Sequence, residues 1–275
     1  MTDSPAYLSA NVERFMGFAE RYDAFRPRPP AIICAVLTQL AQVPRPALVV
    51  DLGSGTGLST LLWAGHAGAV IGIEPSDDMR RYAEARVAAH AEAGHVSFRA
   101  GFGYATGLPE ACADIVTCSQ ALHWMEPATT FAEIARILRP GGVFAAYDCD
   151  WPPTINLELD PVYAKSMAQV AIAEQARGLS RAVHSWDKRQ HLENMRASGH
   201  FRFVHEFVLH HVEQGDAERL VGIVRSQGQV ATLLKDGASE DEIGITALRA
   251  DARRIMGDSA IPWYWSYRVR VGMRG

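Results

Sequence analysis

Between about residues 47 and 148 the chain alternates short apolar runs with longer stretches of helical spacing. "ALVVDL" (47–52), "AVIGIE" (69–74), "VSFRA" (96–100), "ADIVTCS" (113–119) and "GVFAAYD" (142–148) have the length of strands, and most are apolar enough to be buried on both faces. Between them, "LSTLLWAG" (58–65), "SDDMRRYAEARVAAHAEAG" (76–94) and "ATTFAEIARILRPGG" (128–142) carry apolar residues at helical intervals. Ser76 is the expected N-cap of the second, with Asp77 and Asp78 favourable in its first turn; Pro140 and two glycines close the third. Strand–helix alternation of this kind predicts a parallel sheet covered by helices on both faces and joined by right-handed crossovers.

After Tyr147 the pattern changes. "DCDWPPTINLELDP" (148–161) is a turn-rich connection, and residues 160–177, 187–198, 216–226 and 239–256 have helical spacing. "FRFVHEFVLHHV" (201–212) is a strand candidate. "PWYWSYRVRVG" (262–272) alternates cleanly, with Trp263, Trp265, Tyr267, Val269 and Val271 on one face and Ser266, Arg268 and Arg270 on the other. The expectation is a single domain over 1–275, with a core at about 40–150 completed by the two late strands.

With 48% hydrophobic residues the chain has enough apolar surface for a sizeable core. A net charge of −4 without runs of like charge argues against a nucleic-acid or membrane-surface binder. Cys34, Cys112, Cys118 and Cys149 are scattered, which suggests neither a disulfide framework nor a zinc knuckle. The opening "MTDSPAYLSANVERF" lacks a basic segment followed by an apolar one, so a cytoplasmic protein is expected.

The chemistry concentrates at "VVDLGSGTGLST" (49–60). Gly53, Gly55 and Gly57 let the backbone turn sharply between strand and helix and approach a ligand closely. The dinucleotide fingerprint requires a further glycine where Leu58 stands, and Asp51 just before the loop would repel a pyrophosphate. Asp51 suits a cationic group instead. Glu74, ending the next strand about 20 residues on, is placed to accept both hydroxyls of a ribose. A ligand with a ribose at one end and positive charge at the other is S-adenosylmethionine.

"VVDLGSGTGLST", "IGIEPSDDM" (71–79), "ADIVTCSQALHWM" (113–125) and "LRPGGVFAAYD" (138–148) resemble, in order and spacing, the sequential motifs of class I S-adenosylmethionine-dependent methyltransferases. "QALHW" and the N-terminal "YDAFRPRPP" (22–30) look most like the small-molecule, trans-aconitate methyltransferase-like branch. The resemblance implies a Rossmann-like, doubly wound, mostly parallel seven-stranded sheet of order 3-2-1-4-5-7-6 with the last strand antiparallel. It also implies a helical lid from about 1–30, 151–200 and 216–260. Gly53, Ser54, Gly55, Thr56 and Gly57 would then pack against the methionine part of the cofactor, with Asp51 near its amino group. Glu74 would hold the ribose, Pro75 and Met79 would flank the adenine, and Phe102 would lie nearby. Gln120 and Ala121 would sit beside the sulfonium, with His123 and Trp124 lining the methyl-transfer chamber. Tyr22 and Arg26 match the entry segment, where an arginine fits a carboxylate. "GFGYATGLP" (101–109) departs from the pattern: Phe102 and Tyr104 stand where many relatives carry an acidic or serine residue, so stacking or backbone contacts are expected.

The expected activity is methyl transfer to a small organic molecule at an oxygen, with S-adenosylhomocysteine as product, in a monomer or homodimer. No nucleic-acid or membrane partner is expected. His123 is the first candidate for a general base and Tyr22 the second, needed only where the acceptor holds a proton. Transfer to nitrogen or carbon of a natural-product intermediate is the alternative. An NAD-dependent oxidoreductase, disfavoured by Leu58 and Asp51, and a non-catalytic cofactor-binding protein are the readings of another class. Asp148 and Asp150 lack a third ligand at recognisable spacing, so capping is expected there and no metal. His184, His191, His205, His210 and His211 lack H-E-x-x-H spacing and read as polar-face or pocket residues, and "VRSQGQ" (224–229) as a loop-like break.

Overall fold

The computed structural model describes residues 6–13, 16–17, 19–90, 93–179 and 183–275. Five of its strands are those of the alternating region: β1 (Leu48–Leu52), β2 (Ala69–Ile73), β3 (Val96–Arg99), β4 (Ala113–Ser119) and β5 (Leu138–Cys149). The late strands are β6 (Phe201–Gly215) and β7 (Ile261–Arg274). Together they form a sheet in the order β3-β2-β1-β4-β5-β7-β6, the Rossmann-like arrangement expected. β1 pairs in parallel with β2 and β4, and β7 runs antiparallel to β5, with Val143 opposite Met273 and Cys149 opposite Tyr267. The strand order reverses between β1 and β4, where open parallel sheets bind their ligands.

Two compact units make up the chain. One comprises residues 28–149, 185–209 and 267–275. It holds β1–β5 with the helices α3 (Ile32–Leu40), α4 (Asp77–Ala88), α5 (Pro127–Ile137) and α7 (His191–Ala197). Its core joins Val50, Leu52, Val116, Phe131, Ile134, Phe144 and Met195, all essentially without solvent exposure. Burying each such side chain stabilises the fold by about 1.5–3 kcal/mol. The other unit comprises residues 1–27, 150–184 and 210–266, with the helices α1 (Ala6–Glu13), α2 (Ala19–Phe25), α6 (Leu159–Ala176), α8 (Ala217–Arg225), α9 (Gly228–Lys235) and α10 (Ile245–Met256). There the ring of Phe25 lies flush against Gly222, leaving no room for a side chain on α8. Trp151 packs edge-on against Trp265, with centroids 5.2 Å apart.

Several elements differ from their sequence pattern. The helix expected over 58–65 is a short 3-10 turn, Thr60–Trp63, because Ser59 and Thr60 turn their hydroxyls back to Asp51 rather than continuing a regular helix. The helix expected over 128–142 stops at Ile137: Leu138 is already extended, and Pro140 restricts the residue before it, so "LRPGG" enters β5. α4 keeps its Ser76 cap, which accepts from the Met79 amide, but ends at Ala88; Ala91 and Glu92 of the expected stretch lie outside the described residues. α10 begins at Ile245 rather than 239, after Gly244 at φ +77°. "VRSQGQ" is broken only at Ser226 and Gln227, since α9 starts at Gly228. The alternation of β7 holds: Trp263, Trp265, Tyr267, Val269 and Val271 are buried, and Arg270 opposite them is buried too. No described helix is long and apolar enough to cross a membrane.

Candidate functional site

The glycine loop leaves the tip of β1 and is anchored from the tip of β2. The Gly53 and Ser54 amides donate to the Ile73 carbonyl, and the Gly55 amide donates to Glu74 Oε2 at 2.9 Å. The other Glu74 oxygen accepts from the Ser76 amide at 2.9 Å. One carboxylate therefore ties the loop to the start of α4. All three glycines have positive φ, at +64°, +54° and +82°, but their surroundings differ. A Cβ at Gly53 would lie 2.6 Å from Ala121 Cβ, and one at Gly57 would lie 2.9 Å from the Phe98 ring. A Cβ at Gly55 would meet nothing within 4 Å. The outer two glycines are small because protein is packed on them; the middle one faces open space.

Asp51 is completely buried. Thr60 and Thr117 hydroxyls donate to it at 2.7 Å each, Thr117 from the directly paired residue of β4, and the Ser59 hydroxyl lies at 3.4 Å. Burial pushes its carboxyl up to about 6, with the three hydroxyls only partly opposing the rise. Burial also raises Glu74, offset in part by the Ser76 and Gly55 amides and by Arg80, while the charge of Asp51 raises it further. Two buried carboxyls at neighbouring strand tips thus disfavour each other's ionised form, an arrangement that a nearby cation relieves. In the loop, Ser54 Oγ, which lies against Gly72, and Thr56 Oγ1 are buried without a hydrogen-bond partner. The open face of Gly55 and these hydroxyls leave polar capacity that protein does not fill, which fits a ligand with hydrogen-bonding groups.

The remaining expected residues lie around this loop or apart from it. Met79 is buried in the first turn of α4, next to half-buried Pro75. Phe102 stacks on Tyr104 at 5.3 Å and 17°, so the two rings meet each other. Gln120 directly follows β4 at φ +55°, its backbone amide donating to the Tyr147 carbonyl, and Ala121 packs over Gly53. His123 and Trp124 lie in the short turn that follows, rings 4.5 Å apart. Tyr22 and Arg26 belong to the other unit, where the Arg26 guanidinium lies over the rings of Tyr22 and Trp151 and donates to the Ser226 carbonyl at 3.2 Å. Its contacts there are aromatic and backbone groups.

A second group was not assembled by sequence reasoning. Asp148, nearly buried at the end of β5, accepts from Lys188 Nζ at 2.7 Å and faces Arg270 Nη1 at 3.4 Å and His123 Nδ1 at 4.0 Å. Burial pushes its carboxyl up, but Lys188, His123 and His191 outweigh that and hold it below the usual range. Lys188 also reaches Gln120 Oε1 at 3.4 Å. His191, buried beside them, is pushed down to about 4 by its burial. Periodicity could not pair residues 120, 148 and 188, because the contact is made by a segment inserted between β5 and β6. No cluster suited to a metal occurs among the described residues.

Residues 50–146 match the family model described as "Methyltransferase domain". Over these residues the chain is similar to a methyltransferase domain. A Schizosaccharomyces pombe protein described as an uncharacterized methyltransferase-like protein is 30% identical over 122 residues, 44% of this chain and 45% of that one. A Saccharomyces cerevisiae protein described as a probable S-adenosylmethionine-dependent methyltransferase is 28% identical over 160 residues, 55% of this chain and 53% of that one. The chain thus matches about half the length of these curated relatives. Among solved structures, a type II methyltransferase candidate from Anaeromyxobacter dehalogenans superposes with a TM-score of 0.65 at 22% identity, covering 90% of this chain and 98% of that one. The [4+2]-cyclase SpnF does so with a TM-score of 0.55 at 16% identity, covering 98% and 97%. These likenesses show a Rossmann-like methyltransferase fold, one that also occurs in a protein described as a cyclase.

Proposed function

We propose that the protein transfers a methyl group from S-adenosylmethionine to an oxygen of a small organic molecule. The observation that carries this reading is the pair of buried carboxyls, Asp51 and Glu74, flanking a loop whose middle glycine opens onto unfilled space. When bound there, S-adenosylmethionine supplies an electrophilic methyl group on a cationic sulfur. In the proposal, Glu74 accepts the ribose hydroxyls, and Ser54 and Thr56 hydrogen-bond the methionine portion lying on Gly55. Pro75, Met79 and Phe102 flank the adenine. Gln120, Ala121 and Trp124 hold the acceptor in line with the sulfur–carbon bond.

In-line displacement from a sulfonium consumes charge rather than creating it, so alignment supplies most of the acceleration, up to about 7–11 kcal/mol. A carboxylate acceptor needs no base. For a hydroxyl acceptor, His123 is the base, with Asp148 at 4.0 Å favouring the protonated imidazole formed. The test is incubation with methyl-labelled S-adenosylmethionine and a panel of carboxylic acids, phenols, amines, RNA and protein. Label in a small acid or hydroxyl compound supports the proposal, and label only in RNA or protein overturns it. A second reading, a protein that keeps the fold without methyl transfer, draws on the likeness to SpnF. It predicts cofactor binding with no labelled product from any acceptor.

A further inference from the structure

The segment Trp186–Lys188 is pinned to the tip of β4 at separate points. The Trp186 amide donates to the His123 carbonyl at 2.8 Å, and Lys188 Nζ donates to Gln120 Oε1 at 3.4 Å and to Asp148 Oδ1 at 2.7 Å. Asp187 fixes the following turn by accepting from the Arg189 amide. Lys188 helps to hold Asp148 ionised, but this contact does not use all of its donors. Asp148 already faces Arg270, which is itself buried and held by Glu206 at 2.9 Å. Lys188, by contrast, keeps 36% of its side chain exposed. An ammonium has three donors, and these contacts occupy two of them.

We propose that Lys188 is the anchoring residue for the methyl acceptor, and that the acceptor is a small molecule with an anionic oxygen, a carboxylate or a phenolate, received by the third ammonium N–H. This rests on the methyl-transfer reading above, which places Gln120 beside the reacting sulfur. A carboxylate would bind through one oxygen and react through the other. A lone pair of the reacting oxygen forms the O–C bond while the C–S bond breaks and its electron pair returns to sulfur. The products are a neutral thioether and a neutral methyl ester, or a methyl ether from a phenolate, with no proton to remove. Loss of the negative charge also removes the attraction to Lys188, which favours release. Because the anchor grips the acceptor before and during transfer alike, its removal acts on KM rather than kcat.

The test compares wild type with Lys188→Met and Lys188→Arg. S-Adenosylhomocysteine binding is measured first by calorimetry. Labelled methyl transfer is then measured to a matched set of aryl and alkyl carboxylic acids, phenols, and the primary amide of each acid. The expected result is transfer to acids or phenols but not amides. Lys188→Met should raise the acceptor KM about 10- to 100-fold, leave S-adenosylhomocysteine affinity unchanged, and be partly rescued in Lys188→Arg. Preference for amides, no transfer to any acid or phenol, or an equal loss in kcat and cofactor affinity would overturn the proposal. If wild type fails to bind S-adenosylhomocysteine at all, the methyl-transfer reading itself fails, and the anchor falls with it.

Discussion

Alanine substitutions at Gly53 and Gly55 should separate packing from ligand binding within one turn. Both residues have left-handed φ, at +64° and +54°, which costs an alanine about 1–2 kcal/mol. At Gly55 nothing further is added, since its Cβ direction is empty to 4 Å. At Gly53 the new methyl would stand 2.6 Å from Ala121 Cβ and 2.9 Å from Met125 Cε, an overpacking that adds about 1–3 kcal/mol. A loss of 1 kcal/mol lowers Tm by about 2–4 °C in a protein of this size. Gly55→Ala should therefore melt about 2–8 °C below wild type and Gly53→Ala about 4–20 °C below it. The methyl at position 55 enters the space assigned to the methionine portion, so S-adenosylhomocysteine affinity should fall about 30-fold, or about 2 kcal/mol. Scanning calorimetry without ligand gives the first pair of values, and titration calorimetry gives the second. Gly55→Ala binding within about threefold of wild type would refute the assignment of the open face to the ligand.

Asp51 and His191 should give pH dependences of opposite sign. The folded state raises the Asp51 carboxyl from 3.8 to about 6, so its contribution to stability is full below the lower value and lost as pH rises through the upper one. That loss is about 3 kcal/mol, and Asp51→Asn should gain that much relative to wild type between about pH 3.5 and 7 in urea titrations. Parallel curves would show that burial does not hold the proton. His191 is lowered from 6.5 to about 4, so the fold loses stability as pH falls from the first value towards the second, again by about 3 kcal/mol. His191→Leu should remove that slope; an unchanged slope would assign it to other groups.

Much of the fold was legible because the central strands β1, β4 and β5 are largely buried on both faces and announce themselves as apolar runs. The alternation of β7 even identified its buried face, residue by residue. Local hydrogen bonding misled where side chains turned inward. Ser59 and Thr60 look like helix starters, yet both hydroxyls serve Asp51, and only a 3-10 turn remains. Asp51 was expected near a cationic group of the ligand; the sequence did not reveal that Ser59, Thr60 and Thr117 hydroxyls also donate to it. Motif spacing singled out Glu74 and Gly55, though not the hydrogen bond between them, and it did not single out Lys188 at all. Its partners Gln120, just after β4, and Asp148, in β5, are far from it in sequence, and no periodicity joins them.

In the proposed reading, the glycine loop between Asp51 and Glu74 holds S-adenosylmethionine. Titration calorimetry of S-adenosylhomocysteine into wild type and Glu74→Gln, with melting of both variants recorded alongside, tests it most directly. Saturable binding to wild type is expected, with a loss of about 10- to 100-fold in the variant, the value of hydrogen bonds to a charged acceptor. Absence of binding to wild type, or equal affinity in a folded Glu74→Gln protein, would contradict it.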